Sequence, residues 1–245
     1  MAQRYLIVGT GAAGIAAAET IRGQDPGGEI LLLGEESHGY YSRPGLAYYL
    51  TGELPERQLF PFTERDFDRL RLRRVHARVA ALQPQTHEVT LDDGRKLPYD
   101  RLLLATGSLA ARPPLPGVDL EGVVKLDDLD DARRILKGCR RGRTAVVVGG
   151  GITALEIVEG LRTRNVRTHY FLRGERYWSN VLDETESRIV EHRLQEEGVQ
   201  IHPRTELAEI LGKRGRVAGV LTQDGHRIDC PVGVWTLGFE LAPGA

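Results

Sequence analysis

The sequence predicts an α/β protein made of two halves with similar organisation. An apolar strand, a glycine-rich turn and a helix of small residues occur in succession twice, as YLIVGTGAAGIAAAE from Tyr5 and as VVVGGGITALE from Val146. The two turns open at Gly9 and Gly149, which are 140 positions apart. Self-similarity at this spacing indicates a duplicated unit, and a strand that leads into a helix is how parallel-sheet α/β folds begin.

A second pair of similar segments closes each half. In HEVTLDDGRKLPYDRLLLATG an Asp-Gly turn at Gly94 precedes an apolar strand that ends at Gly107. In GRVAGVLTQDGHRIDCPVGVWTLG the turn is at Gly225 and the strand ends at Gly238, so both spacings between the halves are 131 residues. Asp-Gly between β-forming residues favours a tight hairpin. Each half is therefore predicted to hold a β-α-β start, a hairpin and a strand that returns beside the first one.

A proline-rich segment, GSLAARPPLPGVD, is predicted to connect two domains that span residues 1–110 and 111–245. Helical periodicity over residues 127–136 and 183–197 fits an α/β second domain. Residues 38–72 follow neither the helix nor the strand period. They are predicted to form a helical excursion over the first glycine turn.

Composition excludes several classes of function. A balance of 33 basic and 34 acidic residues, with no long block of like charge, argues against nucleic acid or a membrane surface as a partner. Cys139 and Cys230 form no closely spaced pair, so no disulfide framework or dithiol centre is predicted. The histidines form no metal-ligating array, and no metal is predicted. The first residues carry no signal-peptide pattern, which predicts a cytoplasmic location.

The first glycine turn has the Gly-x-Gly-x-x-Gly pattern of a Rossmann-like dinucleotide-binding unit. The first glycine permits the tight turn, the second lets the backbone reach a pyrophosphate at the helix N-terminus, and the third lets helix and strand pack closely. The next strand, EILLL, leads to Glu35 and Glu36, and either carboxylate could accept the hydroxyls of an adenosine ribose. The alternative is a solvated acidic loop. The predicted binding residues of the turn are Gly9, Thr10, Gly11, Ala12, Ala13 and Gly14.

The second glycine turn differs from the first in its third small residue, which is alanine. This change still allows close packing and favours a phosphorylated ribose. The predicted binding residues are Gly149, Gly150, Gly151, Ile152, Thr153 and Ala154.

The strand that partners the second turn, THYFL, is followed by a basic residue. Leu172 stands where a site for NADH would place an acid, and Arg173 comes next. An acid would repel the 2′-phosphate of NADPH, whereas an arginine can bind it through a charge-assisted contact worth about 1.5 to 3 kcal/mol. NADP is therefore predicted over NAD, with Arg176 as a second candidate contact. The alternative is that Arg173 is an ordinary surface arginine at a strand end.

Each glycine turn is followed later in the chain by a strand that ends in glycine, LLLATGS after the first turn and VWTLG after the second. With these four segments, nearly the whole chain resembles the pyridine nucleotide-disulfide oxidoreductase superfamily. The motif Tyr41-Ser42-Arg43-Pro44-Gly45-Leu46 is most similar to that of its rubredoxin, ferredoxin and nitrite reductase members. The resemblance implies two Rossmann-like domains of the glutathione-reductase type. It implies FAD in the first domain and a nicotinamide nucleotide in the second.

The resemblance also implies roles for single residues. Arg43 and Pro44 would lie beside the flavin or the pyrophosphate, and Glu156 would lie near the nicotinamide amide and the flavin ring, where it is the predicted catalytic residue. The alternative for Glu156 is a glutamate on the exposed side of a helix. Further cofactor contacts are implied at Val79, which would meet the adenine, and at Ala105, Thr106, Gly107 and Gly238.

The chain departs from the resemblance in four ways. No C-x-x-x-x-C pair follows the first turn, and Pro44 stands where single-cysteine oxidases carry their cysteine, so sulfur redox chemistry is not expected. Tyr48 stands where ferredoxin reductases often carry a lysine near flavin N5. The fourth departure has two parts. The motif that usually reads I-G-x-R-P-N is LGFELA, and the strand ending in Gly-Asp that returns to the FAD domain, with the interface domain after it, is expected to be absent.

The leading hypothesis is an FAD-dependent NAD(P)H oxidoreductase that passes electrons to a small iron protein, a downstream reductase centre or a small-molecule acceptor. One alternative is a non-catalytic module, or a fragment, that binds NAD(P)H and FAD. Another is an NADP-dependent dehydrogenase that acts directly on a small substrate, which would leave the first glycine turn without a function. The residues indicate no particular oligomeric state.

Overall fold

A computed structural model describes residues 2–235 and 239–241, and the chain folds into two compact units. Of the described residues, the first unit comprises 2–42, 56–109 and 241. The second comprises 43–55, 110–235 and 239–240. Residues 43–55 thus belong with the second unit, although the chain on either side of them belongs to the first.

The described residues form strands and helices throughout both units. The strands are β1 Arg4–Val8, β2 Glu29–Gly34, β3 Leu72–His76, β4 Val79–Gln83, β5 Glu88–Leu91, β6 Lys96–Pro98, β7 Arg101–Leu104, β8 Ser108–Ala110, β9 Val123–Lys125, β10 Thr144–Val148, β11 Arg167–Phe171, β12 Gln200–His202, β13 Leu207–Lys213, β14 Arg216–Thr222, β15 Arg227–Asp229, β16 Val232–Trp235 and β17 Phe239–Leu241. The helices are α1 Ala12–Gln24, α2 Gly45–Thr51, α3 Glu64–Arg69, α4 Leu129–Gly138, α5 Ile152–Thr163 and α6 Glu184–Glu196, with a 3₁₀ turn at Glu56–Leu59.

The first unit is a parallel sheet covered by helices on one face and by an antiparallel meander on the other. The strand order is β3-β2-β1-β7, and every neighbouring pair is parallel. Successive side chains of a strand point to opposite faces. Leu6 and Val8 therefore pack with Val89 of the meander β4-β5-β6, while Ile7 packs with Ile15 of α1.

The second unit repeats this arrangement. Its sheet has the order β12-β11-β10-β16-β9 and is parallel throughout, and β13-β14-β15 form the antiparallel meander. Val146 and Val148 of β10 pack with Val220 of the meander. The two predicted Asp-Gly turns are confirmed, with φ of 83° at Gly94 and 88° at Gly225. The returning strands β7 and β16 pair with β1 and β10, as the internal repeat predicts.

The two helices predicted in the second domain are confirmed as α4 and α6. The segment 38–72 contains α2, the 3₁₀ turn and α3, joined by irregular chain. Helix α2 packs on α5 of the second unit, where Gly160 allows close contact: a Cβ atom at Gly160 would lie 2.8 Å from the Cβ of Leu50. Among the described residues, no helix is both long enough and apolar enough to span a membrane.

Candidate dinucleotide-binding sites

The three glycines of the first turn have different steric surroundings. Gly9 has a φ of 116°, and a Cβ atom there would lie 2.0 Å from the carbonyl oxygen of Ala105. A Cβ atom at Gly14 would lie 2.0 Å from the carbonyl oxygen of Gly9. A Cβ atom at Gly11 would meet no atom within 4 Å. Gly9 and Gly14 are thus required by packing, whereas Gly11 faces open space at the start of α1.

The other predicted residues of the first site follow neighbouring parallel strands. Thr10 packs on Gly34 at the end of β2, where a Cβ atom would lie 2.8 Å from the threonine Oγ1. The carboxylate of Glu35 is two-thirds exposed and lies 3.9 Å from Nε of Arg78. The carboxylate of Glu36 accepts a hydrogen bond of 2.7 Å from the hydroxyl of Tyr41.

The remaining residues predicted for the first site also lie at strand ends or at the start of α1. Ala105, Thr106 and Gly107 follow β7, and the amide of Ala105 donates to the carbonyl oxygen of Val8 over 2.7 Å. Val79, which is half-buried, begins β4. Ala12 and Ala13 are exposed in the first turn of α1.

The helices that follow the glycine turns have open N-termini, unlike the other long helices. Helices α4 and α6 are capped by Asp128 and Asp183, whose side chains accept hydrogen bonds from backbone amides of the first turn. Helices α1 and α5 begin after Gly11 and Gly151, without a side-chain cap and without an acidic residue in the first turn. The first amides of a helix and its dipole attract anions. Both turns therefore offer an anion site that no side chain of the helix start occupies.

A cavity of about 760 Å³ lies beside the second glycine turn. It brings together the whole turn and the residues after β11. The strand ends at Phe171, one residue earlier than predicted, so the buried Leu172 and the exposed Arg173 both follow it. The lining residues are Ala110, Leu126, Val148, Gly149, Gly150, Gly151, Ile152, Thr153, Ala154, Leu172, Arg173, Gly174, Arg176, Trp178, Ser179 and Asn180.

Several residues of the cavity were not predicted from the sequence. Ser179, Asn180 and Trp178 come from the loop between β11 and α6, and Ala110 and Leu126 come from the start of the second unit. Their positions depend on how the chain folds back beside the glycine turn. The local sequence feature that could have indicated them is the aromatic Trp178 in the loop after the strand that partners the turn.

Four of the predicted residues do not belong to either glycine turn, and one of the four lies outside the residues that the structure describes. Glu156 is half-buried on α5 and is not among the residues that line the cavity. Its burial raises the pKa of its carboxyl group, and the charge of Glu159 raises this pKa further. Arg43 and Pro44 belong to the second unit, where the guanidinium of Arg43 donates to the carbonyl oxygen of Asp127. Gly238 lies outside the described residues.

Thiol and metal chemistry have little support in the part of the chain that the structure describes. Cys139 and Cys230 are both buried, and burial raises the pKa of each thiol to about 12. Thiols with such a pKa stay protonated at neutral pH and are poor nucleophiles. Within the described ranges, no group of three or more His, Cys, Asp and Glu side chains is arranged to hold a metal ion.

Comparison with known proteins gives consistent matches along the whole chain. The family model for pyridine nucleotide-disulphide oxidoreductases matches residues 3–244. The chain is 32% identical to the biphenyl dioxygenase system ferredoxin–NAD(+) reductase component of Paraburkholderia xenovorans, over 99% of this chain and 59% of that protein. It is 29% identical to rubredoxin-NAD(+) reductase of Pseudomonas putida, over 98% of this chain and 64% of that protein.

A solved reductase structure matches the fold over a similar share of both chains. The covalent complex of putidaredoxin reductase with putidaredoxin superposes with a TM-score of 0.92 and 27% identity, covering 97% of this chain and 58% of that one. The chain thus spans about three fifths of the length of these proteins. The family model matches almost every residue, and the two glycine turns and two parallel sheets of the structure agree with it. The chain belongs to the pyridine nucleotide-disulphide oxidoreductase family.

Proposed function

We propose that the protein works as an FAD-dependent NAD(P)H oxidoreductase, with FAD on the first domain, residues 1–110, and the nicotinamide nucleotide on the second, residues 111–245. The observation that carries the proposal is the pair of open helix N-termini, one in each unit, each following a parallel strand and a glycine turn. A single-nucleotide dehydrogenase would leave one of them without a ligand. The relatives named as ferredoxin and rubredoxin reductases support the same activity.

The residues of the first unit fit a dinucleotide with a ribose. The open space beside Gly11 would receive the pyrophosphate at the N-terminus of α1, with the turn residues Gly9 to Gly14 around it. Glu35 or Glu36 would accept the hydroxyls of the adenosine ribose, and Val79, Ala105, Thr106 and Gly107 would contact the rest of FAD.

The residues of the second unit would hold the nicotinamide nucleotide in the cavity of about 760 Å³. When bound, the cofactors supply hydride transfer from nicotinamide to flavin, and the protein supplies their binding and orientation. Glu156 on α5 would orient the nicotinamide end by accepting a hydrogen bond from its amide.

The activity is tested on the purified chain by adding FAD, removing the excess and recording the flavin absorbance before and after NADPH is added without oxygen. We expect stoichiometric flavin that bleaches with NADPH. Colourless protein that FAD does not reconstitute would contradict the proposal. Flavin that is bound but stays oxidised with both NADPH and NADH would favour the alternative of a non-catalytic module.

We further propose that NADPH is preferred over NADH. Arg173 is exposed at the end of β11 and lines the cavity, and Leu172 contributes no carboxylate there. The test compares reduction of the bound flavin by the two nucleotides in wild type and in Arg173→Ala. We expect the preference for NADPH to fall by about ten- to a hundredfold, because a charge-assisted contact is lost.

The matched control is Arg188→Ala. Arg188 is an exposed arginine of α6 that pairs with Glu184 and does not line the cavity. We expect this variant to keep the nucleotide preference of the wild type. A wild type that prefers NADH would contradict the assignment of Arg173.

The electron acceptor is proposed to be a small iron protein, a downstream reductase centre or a small-molecule acceptor. The support comes from the relatives, which include ferredoxin–NAD(+) reductase components of dioxygenase systems. The measurement is NADPH-dependent reduction of an added iron–sulfur protein, compared with ferricyanide as the small-molecule acceptor. Reduction of neither acceptor would contradict this part of the proposal.

A cytoplasmic location stays a prediction of the sequence.

A further inference from the structure

The loop between β11 and α6, residues 172–183, carries a strained tryptophan against the cavity of the second unit. This loop, called here the cavity loop, supplies seven of the sixteen lining residues. Trp178 has a φ of 48°, in the left-handed region. Non-glycine residues are uncommon in this region, and for a bulky side chain a positive φ is a conformational outlier. Such outliers persist where the surrounding structure fixes them, and they are concentrated at ligand-binding sites.

The backbone around Trp178 is held by hydrogen bonds on both sides. The amide of Trp178 donates to the carbonyl oxygen of Gly150, in the second glycine turn, over 3.0 Å. The carbonyl oxygen of Trp178 accepts from the amides of Val181 and Leu182, each over 2.9 Å. The cavity loop is therefore tied directly to the turn at which a pyrophosphate would bind.

The residue before Trp178 fixes the loop from the opposite side. Tyr177 is fully buried, its amide donates to the Glu191 carboxylate over 2.6 Å, and its carbonyl oxygen accepts from the Ser187 hydroxyl over 2.7 Å. With Tyr177 anchored beneath α6, the half-buried Trp178 is left to line the cavity. The strained conformation thus separates two adjacent aromatic residues, one in the core and one beside the cavity.

We propose that the indole of Trp178 stacks on the adenine of the nicotinamide nucleotide, and this proposal rests on the proposed function of the second unit. The end of the second strand of a Rossmann-like unit receives the adenosine ribose. The cavity loop leaves that strand end, and its contact with Gly150 keeps Trp178 next to the pyrophosphate position. Trp178 therefore borders the adenosine half of the nucleotide. Aromatic side chains stack on bases whatever the base, since every base has a π-face.

The test uses 2′,5′-ADP, which carries the adenosine half of NADPH without the nicotinamide. The chain has two tryptophans, so a Trp235→Phe background leaves Trp178 as the only indole emitter. We expect saturable quenching of this emission by 2′,5′-ADP and none by nicotinamide mononucleotide. Quenching by nicotinamide mononucleotide alone would place Trp178 at the other end of the cavity and overturn the proposal.

The variants separate the ring from the backbone. Trp178→Gly removes the indole and adopts the left-handed conformation without strain, so we expect unchanged thermal stability and about tenfold weaker binding of 2′,5′-ADP by calorimetry, which is the loss of one stacking contact. Trp178→Phe keeps a ring, and we expect it to retain most of the affinity. The control is Val181→Ala, a change at an exposed residue of the same loop that does not line the cavity, with no expected effect.

Failure of this proposal differs from failure of the proposed function. If wild type binds 2′,5′-ADP and Trp178→Gly binds it equally well, the stacking contact is wrong while the nucleotide site stands. If wild type binds none of 2′,5′-ADP, NADPH and NADH, the function proposed for the second unit is wrong, and the stacking contact falls with it.

Discussion

Single glycines of the first turn separate stability from ligand binding. A methyl group at Gly14 would lie 2.0 Å from the Gly9 carbonyl oxygen, whereas a methyl group at Gly11 would meet nothing, and φ at Gly11 is an ordinary −78°. We expect Gly14→Ala to lower the free energy of unfolding by about 1 to 3 kcal/mol, the usual cost of overpacking. Gly11→Ala should leave it within about 0.5 kcal/mol of wild type. Urea denaturation of the two variants measures both effects.

Gly11→Ala is predicted to affect cofactor binding although it leaves stability unchanged. The added methyl group at Gly11 fills the space in front of the open helix N-terminus, so we expect Gly11→Ala to bind FAD more weakly than wild type. Fluorescence titration with FAD measures this affinity. An affinity equal to that of wild type would show that no pyrophosphate approaches Gly11.

Glu156, which is half-buried, can be tested against Glu159, an exposed glutamate one turn further along the same helix. Burial is the main cause that raises the pKa of both Glu156 and Glu159. We expect Glu156→Gln to slow flavin reduction by NADPH about tenfold, because a charge-assisted hydrogen bond to the nicotinamide amide is lost. Glu159→Gln removes only the lesser of the two causes that raise the pKa of Glu156, so we expect a smaller effect on the rate. Stopped-flow absorbance at the flavin band measures both rates, and equal effects of the two substitutions would contradict the role of Glu156.

At the residue scale, the sequence predicts the position of a side chain when that position depends on neighbouring residues of the chain. It does not predict an orientation that depends on contacts with residues distant in sequence. The position of Arg173 could be predicted because it comes two residues after the end of a strand with a clear pattern. The orientation of Trp178 could not, because its positive φ is fixed by bonds to Gly150 and by the anchoring of Tyr177 through Ser187 and Glu191.

At the scale of elements, a pair of histidines links β11 to β12. Nδ1 of His169 lies 3.0 Å from Nε2 of His202, and burial is the main cause that lowers the pKa of each. The unfolded chain therefore binds more protons than the folded chain as the pH falls through the ordinary histidine pKa of about 6.5. The stability from this pair is fully present above that pH and is lost below it, toward the folded pKa values.

We accordingly expect the urea concentration at the unfolding midpoint to decrease as the pH is lowered from 7.5 to 5.5. In His202→Gln this decrease should be smaller. A neutral glutamine keeps a hydrogen-bonding group beside His169 and cannot take up the proton. The control is His192→Gln on α6, where the imidazole is 76% exposed, and we expect its pH dependence to match wild type. An unchanged pH dependence in His202→Gln would exclude the pair as its source.

The positions of helices and strands could be predicted where hydrophobic periodicity marks them. They could not be predicted where they depend on contacts between residues distant in sequence. The strands, hairpins and long helices of both units follow from hydrophobic periodicity and Asp-Gly turns. The placement of α2 does not, since it depends on a contact between Leu50 and Gly160 and on hydrogen bonds from Arg164 to the carbonyl oxygens of Leu50 and Tyr49. These partners are more than a hundred positions apart, and no local pattern connects them.

The whole molecule consists of two units that repeat one architecture but differ at the edge of each nucleotide site. The first has carboxylates after its second strand, at Glu35 and Glu36, and the second has Leu172 and Arg173 in the corresponding place. This chemical difference is visible in the sequence because it lies within two residues of a predicted strand end. It is the basis on which we propose an unphosphorylated ribose for the first unit and a phosphorylated one for the second.

That difference predicts separate footprints for the two cofactors in hydrogen exchange. A ligand that binds only the folded form slows the opening of the region it contacts. We expect FAD to slow exchange at residues 9–15 and 105–107, and NADPH to slow it at residues 149–155 and 172–180. Arg173→Ala should weaken the NADPH footprint and leave the FAD footprint unchanged, because its guanidinium lies outside the first unit. If NADPH protected the first turn, or FAD the second, each turn would have been assigned to the wrong nucleotide, since protection by a bound pyrophosphate must appear at the helix N-terminus that holds it.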